Sequence, residues 1–155
     1  MSDVVLHPIG TVRSPRRDVE DDDWGAVVST IVLDATQFGA EVTAGLADFS
    51  HLEVVYHFHL VPPEKIETAA RHPRNRTEWP RVGIFSQRGK GRPNRLGVSR
   101  CRLLKVDGLT LTVQALDAVD GTPVLDVKPW MAEFGPLGDV RQPQWATELM
   151  AGYYR

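Results

Sequence analysis

Residues 88–99, RGKGRPNRLGVS, hold four cations (Arg88, Lys90, Arg92, Arg95) and three glycines within twelve positions. Side chains of one sign packed this densely repel one another. A folded chain tolerates them where an anionic ligand, or a ring of acidic neighbours, compensates. Guanidinium forks suit carboxylates and phosphates, and glycine leaves the backbone N–H groups open to a ligand. The nucleotide P-loop pattern fails here, because Lys90 is followed by glycine and not by Ser or Thr. GKGRP is similar to the basic core of minor-groove hooks, but those lie in disordered tails and this one lies between two apolar runs.

A second group of reactive residues is ALDAVDGTPVLDVKPW (115–130), where Asp117, Asp120 and Asp126 bracket a Gly-Thr-Pro turn. An isolated Asp-Gly most often bonds its own backbone. Asp117, however, ends an apolar run, where a carboxylate can serve a site at the mouth of a sheet. A third group lies on HLEVVYHFHLV (51–61), where His57, His59 and Glu53 fall on one face of a strand. A His-x-His pair of this kind can bind zinc or iron if His51, His72 or an aspartate supplies further ligands. The alternative is a pair of hydrogen-bonded structural histidines, and no metal is expected.

The elements that must carry these groups are mostly strands. β-branched or alternating runs predict strands over 4–14, 26–34, 51–61, 81–86, 96–108, 109–119 and 123–130. Leu52, Val54, Tyr56 and Phe58 form the apolar face of the third. Asp107-Gly108 and Asp120-Gly121 predict tight turns. Residues 35–49 permit one or two helical turns, 64–70 a short helix in a proline-rich loop, and 142–154 a terminal helix with Pro143 in its first turn. Strand-helix alternation and a G-x-G-x-x-G are both missing, which argues against a Rossmann sheet and for a mostly β barrel or sandwich.

With 155 residues, a single domain spanning 1–155 is expected. No apolar run approaches the roughly 20 residues of a membrane span, so no membrane partner is expected. The start MSDVVLHPIG lacks a basic n-region, and the lone Cys101 excludes an internal disulfide; both fit a cytoplasmic protein. Net charge is −2, but it is unevenly spread. Residues 71–105 hold eleven Lys/Arg and one acid, whereas the remainder holds seven bases and nineteen acids. Such asymmetry marks a local anion site on an acidic protein, or a solvated basic surface.

Four strings taken in order, IGTVRSP (9–15), FSHLEVVYHFH (49–59), VGIFSQRGKGRPNRLGVS (82–99) and LDAVDGTPVLDVKPW (116–130), resemble the signatures of the TsaA-like family. The resemblance covers roughly residues 10–130. It implies a small single-domain antiparallel β-barrel that binds S-adenosylmethionine without a Rossmann sheet. It also implies a homodimer and, in one branch, N6-methylation of a threonylcarbamoyl-adenosine in tRNA. Family cofactor contacts fall on His59, Leu60, Arg88, Val98 and the run Asp117-Ala118-Val119-Asp120. Lys90, Arg92, Arg95 and the RHPRNR loop (71–76) are expected to lie around the same mouth and attract a phosphate backbone; Asn94 and Lys128 are also expected to face the substrate, with Asn94 equally readable as a turn residue. Arg88 is expected to bind the cofactor carboxylate, and Asp117 or Asp120 a ribose hydroxyl or the ammonium. Trp24 is expected over the adenine, with Asp22 and Asp23 favouring the sulfonium.

The chain departs from the family pattern in places. Gln87 and Gly89 stand where Thr and Ser are usual, Arg95 replaces a proline, and EDDDWG (20–25) replaces a Gln-Pro-Gly loop. The C-terminal extension of larger members has no counterpart within these residues. The departures leave two further readings: a methyltransferase of a small molecule, and a non-enzymatic cofactor- or metal-binding barrel. Asp126, His57 and His59 are the candidate acceptors of a substrate proton, and loss to solvent would require none of them.

Overall fold

The computed structural model describes all 155 residues. Six strands close into an antiparallel barrel. They are β1 (Gly10–Arg13), β2 (Val28–Leu33), β3 (His51–His57), β6 (Leu96–Asp107), β7 (Thr110–Gln114) and β8 (Pro123–Pro129). Their order around the barrel is β1-β2-β7-β6-β3-β8, with β8 pairing back to β1. Two short strands, β4 (Ala70–Arg71) and β5 (Val82–Gly83), form a separate ladder. One helix, α1 (Gln144–Met150), precedes the C-terminal tail. No helix is long and apolar enough to cross a membrane.

The period-2 pattern sets the core. Along β3, Leu52, Val54 and Tyr56 point inward and are buried, while His51, Glu53, Val55 and His57 face the other way. They meet Val12, Ile31, Leu111, Val113, Leu116, Cys101 and Val124. Burial pushes the Cys101 thiol up to about 12, with the nearby Asp117 charge adding to it. At pH 8 the folded protein is therefore expected to resist iodoacetamide. Mass spectrometry should find alkylation only after denaturation; prompt labelling of folded protein would contradict the burial of this thiol.

Several boundaries differ from those predicted. Residues 4–8 do not join the sheet, and Val4, Val5 and Leu6 are exposed; Ile9 bonds Val124 and Asp34 through its backbone, and the paired ladder begins at Gly10. The run 109–119 stops as a strand at Gln114, because Ala115 adopts a left-handed φ of 69° that turns the chain across the barrel end. Of 81–86 only Val82–Gly83 is strand; Ile84–Ser86 coil into a 3-10 turn that buries Ile84 and exposes Phe85. Residues 64–70 hold one 3-10 turn, Pro63–Lys65, and then enter β4. The β6–β7 hairpin turns on Gly108 and Leu109, one residue later than predicted, with Gly108 at φ 59°. β3 ends at His57, so His59 leaves the strand.

Candidate functional site

The left-handed Ala115 sends Leu116 and Ala118 back into the core and leaves Asp117 between them at one barrel end. Three hydroxyls converge on the Asp117 carboxylate. Ser99 of β6 and Tyr56 of β3 donate to Oδ1, Tyr56 at 3.2 Å, and Tyr153 of the C-terminal tail donates to Oδ2. Burial, then the Asp117 charge, pushes the phenols of Tyr56 and Tyr153 well above the usual range, so both remain neutral donors.

The tail reaches Asp117 because it docks on the acidic loop 18–25. The amides of Asp23 and Trp24 donate to the carbonyls of Gly152 and Tyr153 at 3.1 and 2.9 Å. A Cβ on Gly25 would lie 2.1 Å from the Tyr154 carbonyl oxygen, so this approach needs glycine. Gly25→Ala is therefore expected to free the tail. Hydrogen exchange of the Trp24 amide should accelerate at least tenfold, and an unchanged rate would show that the tail is not held there.

Val19, Trp24, Tyr56, Phe58, His59, Leu60, Val61, Lys90, Asp117, Ala118, Val119 and Thr122 line a cleft at this end. The backbone N–H groups of Asp117, Ala118 and Val119 find no partner within the chain, although Ala118 and Val119 are buried. Buried amides are nearly always paired, so these are donors available to a ligand's acceptors. The turn after them is closed by Thr122 N–H to the Val119 carbonyl, with Gly121 at φ 83°. Asp120 Oδ1 accepts the Ser14 amide at 3.0 Å and leaves Oδ2 free.

Of the cofactor residues expected from sequence, His59, Leu60, Asp117, Ala118, Val119 and Trp24 thus share one cleft. Arg88 and Val98 are joined to each other, Arg88 Nη2 donating to the Val98 carbonyl at 2.8 Å. Trp24 is 1% exposed and carries the Arg16 guanidinium on its ring at 4.0 Å. Among the expected substrate residues, Lys90 lines the cleft and pairs with Asp21 at 3.6 Å. Arg92 Nη1 donates to the Gln87 carbonyl and Arg95 Nη1 to the Val61 carbonyl, each at 2.6 Å, which fixes the loop itself. Asn94 sits at φ 63° as an exposed turn residue. Lys128 lies toward the opposite barrel end, four residues past Val124, the partner of Tyr56, and pairs with Asp126 at 3.1 Å.

The two histidines do not form a metal site, and no group of three or more His, Cys, Asp or Glu is placed to hold an ion. Burial, then the charges of Arg95 and His59, lowers the His57 pKa. A larger cavity of about 510 Å³ opens at the opposite barrel end, but Ile9, Leu33, Phe38, Leu46 and Phe49 make it apolar and Asp126 is its single charge. The narrower cleft holds the polar chemistry. Sequence reasoning missed Tyr56, Ser99 and Tyr153 as parts of this site. The first two carried a signal, a hydroxyl on the inward face of a strand; Tyr153 carried none.

The chain matches the tRNA-methyltransferase O N-terminal domain family over residues 13–135. It is 33% identical over 141 residues to a probable S-adenosyl-L-methionine-binding protein of Pyrococcus abyssi, covering 89% of this chain and 74% of that one. It is 34% identical over 140 residues to the tRNA (adenine(37)-N6)-methyltransferase of Escherichia coli, covering 84% and 59%. The crystal structure of TrmO from Pseudomonas aeruginosa superposes with a TM-score of 0.75 at 26% identity, over 94% of this chain. The chain spans 62% of the length of that solved structure.

Proposed function

The chain belongs to the tRNA-methyltransferase O N-terminal domain family, and on that premise we propose that it transfers a methyl group from S-adenosylmethionine to an adenosine N6 in tRNA. The unpartnered amides of Asp117, Ala118 and Val119 in the cleft, the last two in buried residues, carry this reading. The lining fits the ligand class: apolar Val19, Leu60, Val61 and Val119 suit an adenosyl group, and Lys90 with the neighbouring Arg88 suits a carboxylate. When bound, the cofactor supplies a sulfonium methyl open to in-line displacement.

The chain's own residues orient and exclude water. Arg88, which is exposed and donates to the Val98 carbonyl, would hold the carboxylate end with a charge-assisted bond. Asp117 stays bound to its three hydroxyls and holds the segment rigid, while the free Asp120 Oδ2 would hold a ribose hydroxyl or the ammonium. Trp24, under Arg16, closes one wall. His59 lines the cleft and is the candidate acceptor of the N6 proton there, whereas His57, with its lowered pKa, lies on the outward face of β3. Asp126 lies toward the other end, paired with Lys128. A threonylcarbamoyl-adenosine as acceptor, a homodimer as the working form and a cytoplasmic setting belong to the same proposal. Light scattering should give twice the mass of the chain.

Calorimetric titration with S-adenosylmethionine is expected to saturate at one per chain, and Arg88→Ala to weaken binding by about tenfold. Transfer of labelled methyl to tRNA should follow. No binding would end the methyltransferase reading. A small-molecule acceptor is favoured by one observation: Asp21 and Asp22 already occupy Lys90 and Arg74. Cofactor binding without any tRNA binding would select it.

A further inference from the structure

Most cations of the basic segment are already engaged. Arg74 pairs with Asp22, Arg76 with Glu78, Lys90 with Asp21 and Arg100 with Glu53, while Arg88, Arg92 and Arg95 donate to backbone carbonyls. Arg81, Arg102 and Lys105 are exposed to solvent. Arg71 differs from all of these. It is half-buried, its guanidinium pairs with no carboxylate, and its Nε is buried with no hydrogen-bond partner. The nearest acid in sequence, Glu67, is taken up by the Thr68 and Ala69 amides at 3.1 and 2.9 Å. An unpaired buried donor on a cation is costly unless a ligand completes it.

The surroundings hold Arg71 in place. Its backbone is fixed in the β4–β5 ladder, and the buried Gln87 amide clamps that ladder, donating to the carbonyls of Arg71 and Val82 at 2.9 and 3.0 Å. The guanidinium lies against the glycines of the RGKG loop. A Cβ on Gly89 would sit 2.7 Å from Arg71 Nη2, and one on Gly91 would sit 2.6 Å from the Lys65 carbonyl oxygen and 3.9 Å from Arg71 Nη1. Neither glycine has a positive φ, so close approach, and not turn geometry, demands them. The backbone N–H groups of Arg88, Gly89, Lys90 and Gly91 all lack partners within the chain. A fixed, unpaired guanidinium beside four consecutive free amides is the donor set of an oxyanion site.

We propose that Arg71 and the amides of residues 88–91 form a phosphate cradle, which takes one phosphodiester of the RNA substrate. The choice of RNA as the source rests on the methyltransferase reading above; the cradle itself does not. The Gln87 and Gly89 departures from the family pattern then have a role, one clamping the strand that carries Arg71 and the other admitting its side chain.

The test follows the Arg71 Nε–Hε resonance by ¹⁵N NMR during titration with inorganic phosphate, and then with a single-stranded anticodon-loop RNA. Saturable shifts with both ligands, lost in Arg71→Gln, are expected. Arg71→Gln should weaken RNA binding about tenfold and lower the salt slope by about 0.7, the value for one phosphate contact on a single strand. Gly89→Ala keeps the cation but displaces it, and should weaken phosphate binding several-fold with the thermal midpoint retained. Shifts with phosphate alone, with RNA affinity unchanged in the variant, would keep the cradle and assign it to a small phosphorylated ligand. An Arg71 resonance unmoved by either ligand overturns the proposal.

Discussion

Gly97→Ala is expected to lower stability by about 4 kcal/mol, combining one overpacked buried methyl with lost hydrogen bonds. Gly97 is buried on β6, directly opposite Tyr56 on β3. An added Cβ would stand 2.6 and 2.7 Å from two atoms of the Tyr56 ring and 2.8 Å from the Phe58 ring. These rings pack edge to face with centroids 5.4 Å apart, so neither has room to yield alone. Pushing Tyr56 aside also removes its hydroxyl from Ser99 and Asp117. For a domain of this size each kcal/mol moves the midpoint by about 2–4 °C, so a fall of about 10 °C is expected. Gly39→Ala is the control, because nothing lies within 4 Å of its added Cβ. A Gly97→Ala midpoint equal to that of Gly39→Ala would show that the two rings do not fix this corner. S-adenosylmethionine affinity should fall with it, because the same tyrosine steadies the Asp117 segment.

The pattern of β3 shows which features sequence can reveal. Alternation along 51–57 named the inward residues correctly because a strand's side-chain period is fixed by geometry. The barrel followed from the family signatures and from many short strands with little helix. The Asp117–Val119 run was legible as a site through those signatures. Its mechanism was not: Ala115 gives no sign of a left-handed φ, since alanine is not a residue that favours it. The density of the loop cations, taken with the family resemblance, suggests substrate contacts. In the fold, Arg92 and Arg95 donate to carbonyls of their own surroundings, and composition does not distinguish a cation that binds outward from one that staples a loop. Tyr153 was out of reach for a different reason. It lies 36 residues from Asp117, on a tail whose docking depends on a missing Cβ at Gly25, and no periodicity connects the three.

Alkaline pH is expected to unfold this protein, and three buried groups, Cys101, Tyr56 and Tyr153, give the reason. The Cys101 thiol has an ordinary value of 9.0 and stands at about 12 in the fold, and the Tyr56 and Tyr153 phenols are raised from 10.0 by burial and by the Asp117 charge. Each raised group keeps its proton when folded and releases it when unfolded. Its contribution to stability is therefore complete below the unfolded value and is lost as pH rises toward the folded one. Loss begins near pH 9 with Cys101 and steepens above 10 with the tyrosines. At 1.36 kcal/mol per unit per group, the three together remove up to about 5 kcal/mol by pH 11, which approaches the whole stability of many domains. Tyr154 is half exposed and solvent screens it, so it is left out of that sum. Urea melts at pH 8, 9, 10 and 11 should show a midpoint that is flat to pH 9 and then falls. Tyr153→Phe removes one titrating proton and should flatten the fall above pH 10 by about a third, at the cost of about 1 kcal/mol at pH 8 from the lost bond to Asp117. A midpoint unchanged from pH 8 to 11 would mean that the hydroxyl cage opens to water in the native protein. In that case the carboxylate would be free to contact a ligand directly, and Asp117, rather than Asp120, would be the acceptor in the cleft.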